Sequence, residues 1–139
     1  MALGVISTDP ALPLPIRLAE LQVEVSALIA ETGPSVVALE RVLFQVNVRT
    51  AMAVAQASGI VMAAAALSGA EVVEYSPNQV KETVAGHGAA GKEQVARMVQ
   101  TLLGLAAPPR PADAADAAAI ALCHAAHAPL RRASAAASR

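Results

Sequence analysis

Gly33-Pro-Ser-Val-Val-Ala-Leu-Glu40 is the segment from which the architecture of this chain can be worked out. Two breakers precede a short apolar run rich in β-branched residues, and this pattern predicts a buried strand at 35–39. Before the run, residues 16–31 place apolar side chains at spacings of three and four, as in an amphipathic helix. After it, residues 48–68 form a long segment of small and apolar residues that predicts a second helix. The order of these elements indicates an α/β fold.

The alternation of strand and helix continues along the chain. We predict a strand at 71–75, a short helix at 76–84, an amphipathic helix at 91–104 and a last helix from about 112 to 127. The tail at 129–139 is low in complexity, and we expect it to fray. The expected organisation is one folded domain over 1–128 followed by a disordered tail.

Composition excludes several classes of protein. The chain has 139 residues, which suits a single domain, and its net charge of −1 gives no overall basic field of the kind that indicates nucleic acid. The apolar run nearest to a membrane span, 60–67, is shorter than the roughly 18 residues required, and the N-terminus lacks the pattern of a signal peptide. The single cysteine, Cys123, cannot form an intrachain disulfide. We therefore expect a soluble intracellular protein with no membrane segment.

Two carboxylates three residues apart stand at the start of the last predicted helix. Positions i and i+3 share a helix face, so Asp113 and Asp116 can converge on one point. Two such anions repel unless a cation lies between them, although a helix N-terminus relieves part of the repulsion. A simple helix cap is the alternative for one of them. A third acid, Glu40, ends the predicted strand at 35–39, where it is either solvated or used to bind a ligand.

The only two lysines of the chain, Lys81 and Lys92, bracket a loop of small residues at 85–91. Backbone in such a loop can approach a ligand closely, so the arrangement suits contact with phosphate. Solvated helix ends are the alternative.

The last predicted helix also carries Cys123, His124 and His127. Only one thiol is present, and the spacing is not that of a closed zinc site. Core packing and helix-end histidines are the better interpretation of this group.

The segment at 48–68 is apolar on nearly every side, so it must be covered on more than one face. In a chain this short, a second subunit can supply that cover.

Four segments, in order and with matching gaps, resemble the RuvC family of Holliday-junction resolvases. They are VVALERVLFQVNVRT at 36–50, SPNQVKETVAGHG at 76–88, KEQV at 92–95 and PADAADA at 111–117. The resemblance covers residues 2 to about 128. It implies a ribonuclease-H-like α/β fold with a mixed sheet flanked by helices. It further implies a cytoplasmic homodimer, Mg²⁺-dependent nicking of opposed strands of a four-way DNA junction in recombination and repair, and work beside a branch-migration helicase.

The resemblance also assigns roles to individual residues. Glu40, Asp113 and Asp116 are similar to acidic residues that hold a pair of Mg²⁺ ions, which suits hard oxygen ligands. Lys81 and Lys92 look like the family's DNA-backbone lysines. The helix at 48–68 resembles the family's dimer helix.

The loop that enters the junction centre is similar to Leu43, Phe44, Gln45 and Asn47 in this chain. Leu43 stands where the family commonly has an aromatic residue, and Phe44 follows it. Stacking on bases favours Phe44, since a π-face contact is worth about 1–3 kcal/mol per base.

The front of the chain departs from the family pattern. Family members open with two strands, the first of which carries Gly-hydrophobic-Asp-Pro-Gly and a further metal ligand, whereas Leu3-Gly-Val-Ile-Ser-Thr8 is similar to the third strand. Thr8-Asp9-Pro10 imitates the motif only superficially, so Asp9 is expected in a turn. We expect an N-terminally shortened nuclease domain that is weakly folded and impaired in cleavage. A junction-binding or dimerisation module without catalysis is the alternative, and a purely structural Ala-rich domain is a third.

Overall fold

The computed structural model describes residues 2–42 and 48–137, apart from the side chains of residues 48, 49, 132 and 135. Its elements are α1 (Leu14–Thr32), β1 (Val36–Glu40), α2 (Val48–Leu67), β2 (Glu71–Tyr75), α3 (Pro77–Ala85), α4 (Lys92–Leu103) and α5 (Ala112–Ala137). The order of helices and strands is the predicted one. The chain divides into two compact units, which we call the sheet unit (Ile6–Glu74) and the helical unit (Tyr75–Arg139 with the N-terminal residues through Val5). The single domain over 1–128 stays a prediction.

The sheet unit packs α1 and α2 around a short parallel sheet of β1 and β2. The sheet is extended at its start by a hydrogen bond from the Glu71 amide to the Ser35 carbonyl, at 2.9 Å. Gly33 ends α1 in the left-handed region at a φ of 53°, where glycine carries no Cβ penalty. The buried core of this unit includes Val25, Ile29, Ala65 and Ala70.

The helical unit is built from α3, α4 and α5. The Ser76 hydroxyl accepts a bond from the Gln79 amide at 3.2 Å, while the Gln79 side chain accepts one from the Ser76 amide at 2.9 Å. This capping box, with Pro77 in the first turn, confirms the predicted start of α3. Val99 on α4 and Cys123 on α5 are fully buried. The alanines that α5 buries let its backbone approach its neighbours closely: Ala114, Ala115, Ala118 and Ala119.

The end of the chain differs from the prediction. Helix α5 continues to Ala137 and includes Pro129, whereas we expected a frayed tail from residue 129. Alanine has the highest helix propensity, and residues 133–137 are four alanines and one serine. Local propensity therefore continues the helix where the sequence pattern indicated none.

The start of the chain also differs from the prediction. Residues 2–8 are assigned to no strand, although Leu3–Thr8 is similar to a strand of the family. A strand is defined by its ladder partner, and the sheet of the described residues consists of β1 and β2 alone. Asp9 does lie in a turn, as predicted, because its side-chain Oδ1 accepts a bond from the Ala11 amide at 2.9 Å.

Helix α2 is the one helix among the described residues that is both long and apolar enough to cross a membrane, by length and composition alone. The segment Thr50–Leu67 of this helix has 18 residues and a mean hydropathy of 1.6, which satisfies the length and composition of a membrane span. The prediction counted uninterrupted apolar runs and so passed over a helix whose breaks are only small or weakly polar residues. Just 6% of this segment is buried within the chain, and the side chains of Met52 and Val54 are about half exposed. Much of the apolar surface of α2 is therefore left accessible by the described residues.

Candidate functional site

The two aspartates of the predicted site lie on one face at the start of α5. Asp113 is exposed in the first turn of the helix, and Asp116 is half-buried one turn later. The two residues between them, Ala114 and Ala115, are buried against the rest of the helical unit. The helix is thus held by its alanine face while the carboxylates point away from that core. This geometry confirms the predicted i and i+3 placement of the pair.

Lys92 joins this pair from a different helix. Its ammonium Nζ lies 3.2 Å from the Asp116 Oδ2 and donates a hydrogen bond to it. The lysine is the first residue of α4, and the side chains of Lys92 and Asp116 are 77% and 42% exposed. A cation predicted to contact phosphate therefore lies directly beside a carboxylate predicted to bind metal.

A groove runs from this ion pair along α4 and the loop before α5. It has a volume of about 500 Å³, and its lining includes Lys92, Arg97, Arg110 and Asp116. Three prolines, at positions 108, 109 and 111, form most of the loop wall. Arg97 and Arg110 did not stand out in the sequence. The signal that could have found Arg110 is its position between prolines, immediately before an acidic helix start.

Glu40 is the last residue of β1 and is exposed, as predicted for the end of the strand. It belongs to the sheet unit, while Asp113 and Asp116 belong to the helical unit. Within 2–42 and 48–137, no group of three or more His, Cys, Asp or Glu side chains is placed to hold a metal ion together. The meeting of Glu40 with the two aspartates stays a prediction.

Lys81 lies in the middle of α3 and is half-buried, separated from Lys92 by the predicted loop of small residues. The loop approaches α3 closely, because a Cβ on Gly88 would overlap the side-chain amide of Asn78. His87 and Gln94 join the loop to α4 through a side-chain hydrogen bond of 3.0 Å. The loop is thus tied to the helices that carry both lysines.

The predicted junction-entering residues Leu43, Phe44, Gln45 and Asn47 lie outside the described residues. Their role stays a prediction from the family resemblance.

The cysteine and histidines of α5 form a packed cluster around Tyr75. The Tyr75 hydroxyl is hydrogen-bonded to the His124 Nδ1 at 3.0 Å, and the rings of Tyr75 and His127 lie 5.6 Å apart. The His127 Nδ1 donates to the Cys123 carbonyl at 2.8 Å. Cys123 is fully buried and packs as a core residue, as predicted.

Comparison with known proteins places these features in a family. The family model described as Crossover junction endodeoxyribonuclease RuvC matches residues 1–124. The crossover junction endodeoxyribonuclease RuvC of Salinispora arenicola is 52% identical over 124 residues, which are 89% of this chain and 71% of that protein. The protein of the same description from Moorella thermoacetica is 51% identical over 116 residues, 84% of this chain and 70% of that protein.

Solved structures give the same answer. A Thermus thermophilus RuvC structure superposes with a TM-score of 0.83 at 41% identity, over 91% of this chain and 76% of that one. T. thermophilus RuvC in complex with Holliday junction substrate superposes with a TM-score of 0.81 at 37% identity, over 91% of this chain and 77% of that one. These likenesses confirm the ribonuclease-H-like fold. With its four motifs and this architecture, the chain belongs to the RuvC family of crossover junction endodeoxyribonucleases.

Proposed function

We propose that this chain is a structure-specific endonuclease that resolves four-way DNA junctions during recombination and repair. Family membership supports the reaction, and T. thermophilus RuvC, with which the chain shares its fold, has been captured with a Holliday junction substrate. The observation that carries the proposal in this chain is the group formed by Asp113, Asp116 and Lys92. It combines acceptors for a cation with a donor for a phosphate, as hydrolysis of a phosphodiester requires.

The carboxylates fit a hard divalent cation such as Mg²⁺. Asp113 and Asp116 offer carboxylate oxygens on one accessible helix face, and the helix dipole stabilises negative charge there. We propose Glu40 as the ligand from the sheet unit. When bound, a pair of Mg²⁺ ions supplies Lewis-acid activation of water and stabilisation of the leaving oxygen.

The remaining residues bind and orient the DNA. Lys92 donates to a phosphate oxygen next to Asp116, and Lys81 contacts the backbone from α3. The loop with Leu43 and Phe44 enters the junction centre, where an aromatic face can stack on a base. These contacts hold the scissile phosphate in line with the attacking water.

A homodimer suits the symmetry of a junction, whose two opposed strands need two active sites. We propose that α2 supplies the dimer contact, because its apolar surface is left exposed within the chain. Such a dimer acts on chromosomal junctions in the cytoplasm, where a branch-migration helicase can work beside it.

The test is cleavage of a labelled four-way junction under single-turnover conditions. Wild-type protein with Mg²⁺ should cut two opposed strands, and Asp113→Asn or Asp116→Asn should lower the rate at least 100-fold, as removal of a principal electrostatic contribution does. Both variants should still bind the junction in EDTA, because no phosphate contact has been removed. Cleavage by the variants at the wild-type rate would exclude these aspartates from the chemistry.

A further inference from the structure

We infer that Arg97 and Arg110 form a second phosphate subsite, which holds the DNA strand beside the scissile phosphate. This inference rests on the proposed function, because Lys92 and Asp116 line the same groove. The two arginines come from different elements, α4 and the loop before α5. Both line the same groove, which has a volume of about 500 Å³.

The charges in the groove favour an anion. Lys92 is already next to Asp116, so that pair contributes little net charge to the groove. Arg97 and Arg110 then face Glu93 as the remaining acid of the lining. Within the described ranges, neither guanidinium makes an ion pair or a side-chain hydrogen bond. Both arginines are exposed, so their donors are available to a ligand.

The groove can accept more than one phosphate of a nucleic-acid strand. Lys92 and Arg97 are five residues apart on α4, about 7.5 Å along the helix axis, and both line the groove. A strand bound with its scissile phosphate at Asp116 can therefore place another of its phosphates at Arg97.

The loop side of the groove is suited to hold Arg110 in place. Prolines at 108, 109 and 111 flank this arginine, and each proline fixes its own φ near −65°. A stiff loop lowers the entropy that is lost when Arg110 is ordered on a ligand. The planar guanidinium can then bind phosphate oxygens through two parallel hydrogen bonds.

The test measures junction binding in EDTA, where no cleavage occurs, as a function of salt. In each of the single variants Arg97→Gln and Arg110→Gln, the slope of the logarithm of the binding constant against the logarithm of the salt concentration should become less negative by about 0.9. This is the value for one lost phosphate contact. Arg110→Lys should keep the slope and lower the affinity, because the charge remains and the bidentate geometry is lost. The matched control is Arg131→Gln, which removes an exposed arginine of α5 outside the groove and should leave the slope as in the wild type.

The possible results separate the two proposals. Wild-type binding with unchanged slopes in both groove variants would overturn the subsite and leave the proposed function intact. Failure of the wild type to bind a junction at all would overturn both. A third result is that inorganic phosphate protects the Arg97 guanidinium from chemical modification while the salt slope of junction binding is unchanged in the variants. In that case the groove binds a small anion, and the assignment to DNA is wrong.

Discussion

The contact between Lys92 and Asp116 joins the two kinds of group that the proposed site uses, a cation and a carboxylate. Both are partly exposed, and an exposed pair gains little from Coulomb attraction in water. Its contribution to folding is therefore small, about 0–1 kcal/mol. The physical effect of the pair is local: it places a positive charge at the carboxylate where a metal ion and a phosphate are expected to meet.

Replacing Lys92 with Met keeps the apolar stem and removes the charge. We expect Lys92→Met to change the free energy of unfolding by less than about 1 kcal/mol. It should also make the salt slope of junction binding less negative by about one. Without the neighbouring cation, Asp116 should bind Mn²⁺ more tightly, as measured by titration calorimetry.

Lys81→Met is the matched control for the metal measurement. It removes an equivalent charge from α3, so it should reduce the salt slope without altering Mn²⁺ affinity. A Lys92→Met protein with unchanged Mn²⁺ affinity would show that the ammonium does not compete with cations for Asp116.

At the scale of elements, short-range patterns in the sequence predict most of what the structure has. The breakers at 33–34 and the β-branched run predict β1, and Ser76 with Pro77 predicts the start of α3. The contact of Lys92 with Asp116 is different, because 24 residues separate the two and no local pattern encodes their approach. It arises only from the packing of α4 on α5.

The two ends of the chain show where local reasoning fails. Residues 3–8 have the composition of a strand, but strand formation depends on a partner, which a residue pattern does not contain. The alanines after Pro129 look like low-complexity tail, yet the same residues favour helix by propensity. The structure at the start of the chain depends on a partner strand, and the structure at its end depends on helix propensity. The pattern of hydrophobic residues contains neither.

Helix α2 exposes apolar side chains that a second chain could cover. Its apolar residues Met52 and Val54 are each about half exposed, at 52% and 51%. We expect the Met52→Glu/Val54→Glu double variant to shift a wild-type dimer to monomer in sedimentation equilibrium, because burial of two carboxylates at an apolar interface is costly. Val23→Glu on α1, where the valine is 67% exposed, is the control and should leave the dimer intact.

A contrary result would be equally informative. A wild-type chain that sediments as a monomer of 14.0 kDa at micromolar concentration would remove α2 from the proposed dimer contact.

At the scale of the whole molecule, a net charge of −1 coexists with a local groove lined by three cationic and two acidic side chains. Net charge alone is therefore a poor guide to the partner, and the sequence indicated DNA only through its motifs. The fold could be predicted from those motifs because the likeness to solved RuvC structures extends over 91% of the chain. The proposed meeting of Glu40 with the two aspartates could not be predicted from local patterns, because Glu40 belongs to the sheet unit and the aspartates to the helical unit.

We propose that Glu40 binds the same metal ion as Asp113 and Asp116. Iron can replace Mg²⁺ in such a site, and with peroxide and ascorbate it generates hydroxyl radicals that cut the backbone nearby. Mass spectrometry of the fragments then maps every segment next to the metal. An Asp113→Asn/Asp116→Asn double variant, in which the cuts should disappear, is the control.

This mapping should give cuts both beside residue 40 and within 113–116, and excess Mg²⁺ should suppress both sets together. Cuts confined to 113–116, with none near residue 40, would contradict the account.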